Sequence, residues 1–286
     1  MHVLQSLPSG FCNSANGCFL SATLQVLSAL CYSLRRFSLP DFQVLLEALN
    51  LSSAFDVSDR INICLTRLLE GLREAGLSIS HQNDAHETML VLLDRCFIKP
   101  SDQPTFPFEG IMTLKRQCYN CKVTCSRAQN FTILTVKPEH FTIASCLKEL
   151  SQPYTVSDVE CDHCKKRTKY YMTDGITQYP DILMIHLDRV GLGSKTTKPV
   201  FIDTKLAMGD LKVYELSAVI YHIGQSADSG HYATLRRWDS SIFGLPSEMR
   251  WITVDDDIVN WETREFPGSQ LIRENAYLVV YSLTSD

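Results

Sequence analysis

The spacing of apolar residues divides this chain into two parts of different character. Over residues 21–36, Ala22, Leu24, Val26, Leu27, Leu30 and Leu34 recur with helical period, and the Asn, Gly and Ser residues just before them predict a loop. Cys18 stands at that loop-to-helix junction. Similar patterns predict helices over residues 42–49, 61–75 and 84–97. After a proline-punctuated stretch at residues 99–110 the pattern shortens to β-rich runs at 131–136, 181–187, 213–222, 231–235, 251–254 and 276–283. Helices first and strands later predict an α+β protein with a mainly antiparallel sheet, rather than an alternating α/β fold.

Composition narrows the class. At 286 residues and 45% hydrophobic content the chain can bury a sizeable core, as one large domain or two small ones. A formal net charge of -5 argues against a nucleic-acid binder, which carries a basic excess on one face. No apolar run approaches the roughly 18–20 residues that span a bilayer. The opening MHVLQSLPSG lacks the charged and apolar regions of a secretory signal. The expectation is an intracellular protein of cytoplasm or nucleus, monomeric, with no membrane or nucleic-acid partner. Eleven cysteines, odd in number and scattered, are unlike the dense framework of a small secreted domain, so most are expected to be reduced thiols.

A thiol reacts as its thiolate, and a helix N-terminus favours that anion through unpaired backbone N–H groups and the helix dipole. Cys18 is therefore a candidate nucleophile. Asn13, upstream in the same loop, can donate to an oxyanion if the loop folds back, and Gly10 and Gly17 let the backbone turn closely. Cys12, Cys31, Cys64, Cys96 and Cys146 lie in apolar or amphipathic segments where packing is the default. Downstream, a second strand opens at His231, with Gly230 before it permitting close backbone approach. A later strand ends in Asp255, Asp256 and Asp257, any of which can orient an imidazole. His163, His186 and His222 read as ordinary surface or core imidazoles.

Cys118 with Cys121, and Cys161 with Cys164, form two C-x-x-C units, each able to present two thiolates to a tetrahedral Zn²⁺. Four protein ligands leave no open position, so such a metal is structural. Cys125 and His163 are substitute ligands. Asp84 and Glu87 stand three apart at a helix start, where their carboxylates share one side and either meet a cationic peptide or favour the helix N-terminus.

Taken in order, these segments resemble the ubiquitin-specific protease family of papain-like cysteine deubiquitinases, from Gly10 through Tyr281. GFCNSANGCFLSATLQVL is similar to the family's Gly-Leu-x-Asn-x-Gly-Asn-Thr-Cys box and the Leu-Gln-x-Leu after it. YELSAVIYHIGQSADSGHYATL reproduces its His-x-Gly and Gly-His-Tyr in order, and WITVDDDIV resembles its Trp-x-x-Phe-Asp-Asp-x-x-Val. QNDAHETMLVLLDRCF, PDILMIHLDR and AYLVVYSL look like the intervening helix, the Leu-x-Arg strand and the closing strand.

The resemblance implies one catalytic domain, with a helical thumb over residues 1–105, zinc-bearing β fingers over 106–175 and an antiparallel palm over 176–286. It implies Cys18 as nucleophile, Asn13 as oxyanion donor, His231 as base and Asp255 as the residue orienting the imidazole, with Asp256 in reserve. One structural Zn²⁺ on the four cysteines, and no catalytic cofactor, is implied as well. Asp84 and Glu87 line the channel for ubiquitin's Leu-Arg-Leu-Arg-Gly-Gly tail, which Gly230 and Tyr232 narrow. The implied reaction is thiol-dependent hydrolysis after the last glycine of ubiquitin, the partners being ubiquitin and ubiquitinated proteins. Ala15, Gly17, Asn83, Thr88 and Val254 depart from the family pattern without removing a required chemical group. The rival readings are a protein of this fold that grips ubiquitin without cutting it, and a protease for a ubiquitin-like modifier such as SUMO.

Overall fold

The computed structural model describes residues 9–10, 16–34, 38–51, 58–74, 76–77, 81–99, 106–191, 194–209, 212–226, 229–239 and 249–284. Helices α1 (Cys18–Leu34), α2 (Pro40–Asn50), α3 (Ser58–Glu74) and α4 (Ala85–Cys96) come first. The leading helix starts earlier than the pattern predicts. Phe19 and Leu20 are buried and extend its apolar surface, while the Gly17 carbonyl accepts from the Leu20 and Ser21 N–H groups at 3.0 and 2.9 Å. Cys18, expected at the loop-to-helix junction, is thus the first helical residue. The body of α1 is buried almost all round, with Leu24, Val26, Leu27 and Leu34 fully covered, as befits a helix inside the core. Pro40 opens α2, where a missing N–H leaves no bond unmade.

The strands are β1 (Gly110–Cys118), β2 (Thr124–Phe131), β3 (Ile133–Val136), β4 (Tyr154–Glu160), β5 (Arg167–Gln178), β6 (Ile182–Leu187), β7 (Val190–Gly191), β8 (Ser194–Lys195), β9 (Lys205–Met208), β10 (Lys212–Ile223), β11 (His231–Asp239), β12 (Met249–Asp255), β13 (Ile258–Glu262) and β14 (Ala276–Leu283). Two short helices, α5 (Ile143–Glu149) and α6 (Gln270–Asn275), interrupt them. The larger, eight-stranded sheet runs β13-β12-β11-β10-β14-β6-β3, with β9 also on β10. Its pairs are antiparallel except β3 with β6. One face, through Met184, Ala218, Ile220, Leu278 and Val280, packs on the four leading helices. The other, through Leu183, Ile185, Val219, Leu235 and Val279, packs on Ile143 and Leu147 of α5 and Ile272 of α6. Cover on both faces explains why β6 is apolar except for His186 and is buried at every position.

A second, four-stranded sheet has the order β2-β1-β5-β4. Hydrophobic alternation does not reveal these strands. β2 is exposed from Thr124 to Asn130 and β4 is almost as open, so neither has a buried face to impose a period of two.

Candidate active site

The start of α1 and the start of β11 meet. Cys18, 4% exposed, sits where the first N–H groups of α1 lack helical acceptors, at the positive end of the helix dipole. The imidazole of His231 bonds this thiol and, through Nε2, the Asp255 carboxylate at 2.5 Å, which leaves Nδ1 for the sulfur. The Cys18 partner, more than any other group, holds the His231 pKa up to about 9. Burial pulls it down, and Asp255 adds a further push upward. The favoured form of the ring at neutral pH is an imidazolium beside sulfur.

Asp255 ends β12 and faces Ile258 across a two-residue turn, Asp256–Asp257. Asp256 takes a left-handed backbone, φ 53°, which aspartate tolerates better than most residues. His231, Asp255 and Asp256 bring ligand-type atoms within 4.8 Å of one another. With both imidazole nitrogens engaged, the ring has no lone pair for a cation, and the group reads as acid–base machinery. Gly10 presses on the same turn. A Cβ there would meet the Asp256 carbonyl oxygen at 2.2 Å and Asp257 Cα at 2.8 Å, so only glycine allows this approach. Asn13 and Ala15 lie outside the described residues.

Beside His231, Gly230 leaves no room for a side chain. An added Cβ would fall 2.3 Å from Nε2 of the buried His222. Its carbonyl accepts from Gln82 Nε2 at 2.8 Å, which joins the segment before α4 to the segment before β11. Tyr232 is buried against His222 and Tyr277, with ring centroids 4.5 and 5.5 Å away. Asp84 caps α4, Oδ1 accepting from the His86 and Glu87 N–H groups at 2.6 and 3.0 Å, while Oδ2 accepts from the Tyr277 hydroxyl. A cap of this kind is worth about 1 kcal/mol. Glu87 is exposed. His86 and His186 stack in parallel at 4.4 Å. Burial holds both pKa values down, that of His186 to about 4, so the stack consists of neutral rings.

Gln82, Tyr277 and Lys195 escaped the sequence reading. Lys195 Nζ donates to the carbonyl oxygens of His222 and Gly224, the latter at 3.2 Å, and so supports the β10–β11 connection from below. No local signal marks these residues, because their partners lie far away in the chain.

At the far end of the four-stranded sheet the tips of two hairpins converge. Cys118 and Cys121 flank the β1–β2 tip, and Cys161 and Cys164 the β4–β5 tip. Each first cysteine bonds both ways across its own turn. The Cys118 N–H reaches the Val123 oxygen and its carbonyl takes the Lys122 N–H, both at 3.0 Å; Cys161 does the same with Lys166 and Lys165 at 3.0 and 2.8 Å. Lys122 and Lys165 both have left-handed backbones, φ 59° and 56°. The four ligand atoms lie within 4.8 Å of one another, with Cys118 to Cys164 at 4.0 Å and Cys121 to Cys161 at 3.8 Å. Four sulfurs at about 2.3 Å from one tetrahedral ion lie roughly 3.8 Å apart, so the set fits a single metal ion. Cys125 is exposed on β2, and neither it nor His163 belongs to the group.

Residues 9–281 match the family described as ubiquitin carboxyl-terminal hydrolase. The probable ubiquitin carboxyl-terminal hydrolase 9 of Schizosaccharomyces pombe is 27% identical over 242 residues, 72% of this chain and 40% of that protein. Ubiquitin carboxyl-terminal hydrolase 46 of Caenorhabditis elegans is 28% identical over 189 residues, 57% of this chain and 41% of that protein. The chain therefore spans about two fifths of the length of these curated relatives. Among solved structures, that of the SAGA Ubp8/Sgf11/Sus1/Sgf73 DUB module bound to ubiquitin aldehyde matches with a TM-score of 0.76 at 18% identity, over 100% of this chain and 71% of the other. The same module carrying Ubp8(C146A), bound to monoubiquitin, matches with a TM-score of 0.70 at 18% identity, over 97% and 69%. At that identity the likeness is one of fold. Among the described residues no helix is long and apolar enough to cross a membrane.

Proposed function

Because the chain belongs to the ubiquitin carboxyl-terminal hydrolase family, we propose that it is a cysteine deubiquitinase that hydrolyses the peptide or isopeptide bond after the last glycine of ubiquitin. The observation that carries this reading is the convergence of Cys18, His231 and Asp255 from three distant segments into one bonded line.

The Cys18 thiolate attacks the carbonyl carbon of ubiquitin's last glycine. The resulting oxyanion is held by the Cys18 backbone N–H at the start of α1 and by the Asn13 amide, a role assigned to Asn13 by resemblance alone. His231 gives its proton to the leaving lysine amine, which leaves a thioester on Cys18. Water, deprotonated by His231, attacks that thioester and frees both ubiquitin and the thiol. Asp255 keeps the imidazole oriented with Nδ1 toward sulfur and stabilises its charged form.

Glu87 faces the arginines of the ubiquitin tail as an exposed acid. Asp84 acts mainly by fixing the start of α4 and Tyr277. The Gly230 segment, backed by His222 and held by Gln82, narrows the approach to Cys18 so that only a Gly-Gly end passes. Cys118, Cys121, Cys161 and Cys164 hold one structural Zn²⁺ that ties the two hairpin tips together. The partners are ubiquitin and ubiquitinated proteins, and the protein works as a monomer in the reducing cytoplasm or nucleus, where its thiols stay reduced.

Ubiquitin carrying a C-terminal electrophile tests the reading, with a SUMO probe beside it. The expected result is an adduct mapped to Cys18 with the ubiquitin probe and its loss in Cys18→Ala. An unmodified Cys18 sinks the proposal. An adduct without turnover of fluorogenic ubiquitin points to a ubiquitin-gripping protein, and preference for the SUMO probe to a modifier protease.

A further inference from the structure

Arg236 stands on β11 five residues after His231, with no part of it exposed. Its guanidinium is spread over neutral oxygens of two helices. Nε donates to Gln25 Oε1 at 3.0 Å, Nη1 to Asn50 Oδ1 at 2.8 Å and Nη2 to the Leu49 carbonyl at 3.3 Å. Burial draws its pKa down to about 10, and the group is still a cation at neutral pH.

The residues on either side repeat the pattern along one face of the strand. Thr234 Oγ1 donates to the Ala22 carbonyl at 2.9 Å, and Trp238 Nε1 to the Asn50 carbonyl at 3.4 Å. The acceptors are themselves tied down. Asn50 Nδ2 donates to the Ser28 carbonyl at 2.6 Å, and Gln25 Nε2 to the Ser9 carbonyl at 3.0 Å. Ser9 precedes Gly10, which presses on the turn beside Asp255.

Gln25 lies seven residues, about two helical turns, beyond Cys18, so both share one side of α1. The helix that carries the sulfur and the strand that carries the imidazole are stapled by charge-assisted bonds a short way behind the site. Apolar packing resists separation of a helix from a sheet but gives little resistance to sliding. A planar fork with donors in fixed directions resists both.

We propose that Arg236 is a positioning residue that sets the reach between Cys18 and His231 by locking α1 and α2 onto β11. It touches neither substrate nor reacting atoms. The proposal rests on the reading of Cys18 and His231 as nucleophile and base. A staple that merely supported the fold would, when weakened, lower the melting temperature and leave the chemistry of the folded molecules as it was.

Arg236→Lys keeps the charge and gives up the fork. In the full chain, folding is scored by thermal melt, and iodoacetamide labelling of Cys18 is followed by peptide mass spectrometry from about pH 5 to 9, a readout that needs no ubiquitin. Turnover of fluorogenic ubiquitin then separates kcat from KM. In the folded variant, labelling of Cys18 at about pH 6 is expected to fall at least about tenfold, because the thiol moves away from the imidazole that takes its proton. The kcat is expected to fall similarly, with KM held within about twofold. A wild-type labelling profile in folded Arg236→Lys overturns the proposal. Should that variant fail to fold, Thr234→Val removes one bond of the staple, and Gln25→Met removes two, the one to Arg236 and the one to Ser9. A shifted profile in either supports the proposal, and wild-type profiles in both overturn it. If the wild-type chain cleaves no ubiquitin but the labelling shift is seen, the deubiquitinase reading fails while the positioning role stands.

Discussion

Sulfur serves two regions of this molecule in different ways. At the tip of the four-stranded sheet four thiols face one another, contributed by two hairpin turns of the same shape. At the start of α1 one thiol faces an imidazole that a carboxylate orients, and its partners come from β11 and from the end of β12. The first arrangement is built largely by local spacing. Each turn supplies its pair within four residues, and only the pairing of β1 with β5 is needed to bring the turns together. The second depends on the core, because the buried side of α1, the order of strands in the larger sheet and the Arg236 staple together place Cys18 against His231. Damage to one should therefore spare the other.

The largest effect expected is from His231→Ala. It removes the proposed base and the partner of sulfur together and should lower kcat/KM by about 10³-fold or more. The metal content of the tip, measured by atomic absorption, should not change. A variant that also lost its metal would show that the two regions are coupled.

Next comes Cys118→Ser. It should release one metal ion per chain and lower the melting temperature by more than about 5 °C, while the pH profile of Cys18 alkylation stays as in wild type. A displaced alkylation profile would break the separation from the other side.

A smaller effect sharpens the account of the α1 site. Cys18 is the largest support for the raised His231 pKa, so Cys18→Ala should bring the NMR-measured value down from about 9 toward the ordinary 6.5. The sign for stability follows from linkage. A histidine whose folded pKa lies above its unfolded value stabilises fully below about pH 6.5 and loses that contribution as pH rises through the folded value. In Cys18→Ala, with no thiol sharing the proton, the remaining His231–Asp255 contribution should disappear over that narrower window, as read from melts against pH. A His231 pKa that stays near 9 in the variant would mean that Asp255 alone sets it.

The smallest effect belongs to Lys122→Gly at the tip. Glycine suits the left-handed backbone there but loses more entropy on folding, so stability should change by about 1 kcal/mol or less, with turnover unaltered.

Much of this was legible in the chain. α1 to α4 follow from apolar spacing, because α2 to α4 bury a stripe and α1 nearly its whole surface, and only their ends differ from the pattern. Cys18 stands at the loop-to-helix junction as its sequence position predicts, with the helix beginning there rather than at Ser21 because the buried Phe19 and Leu20 extend its apolar surface. The outer strands of the four-stranded sheet, β2 and β4, were not legible from alternation, because exposure on both faces removes the constraint that writes a pattern. Of the acidic triplet, residue chemistry left all three members open. Only the turn after β12 separates them, sending Asp255 to His231 Nε2 while Asp256 and Asp257 make the turn.

By itself the sequence determined the α+β class, the two cysteine pairs and the family, because helical period, short ligand spacing and ordered motifs are written in neighbouring residues. Only the tertiary structure decided that Asp84 spends its carboxylate on α4 and Tyr277, that Gln82 grips the Gly230 carbonyl, and that a buried arginine ties the helix of Cys18 to the strand of His231. Apart from the local cap on α4, those bonds join residues more than 140 positions apart. Their directions are set by the packing of the core, and no local pattern carries that information.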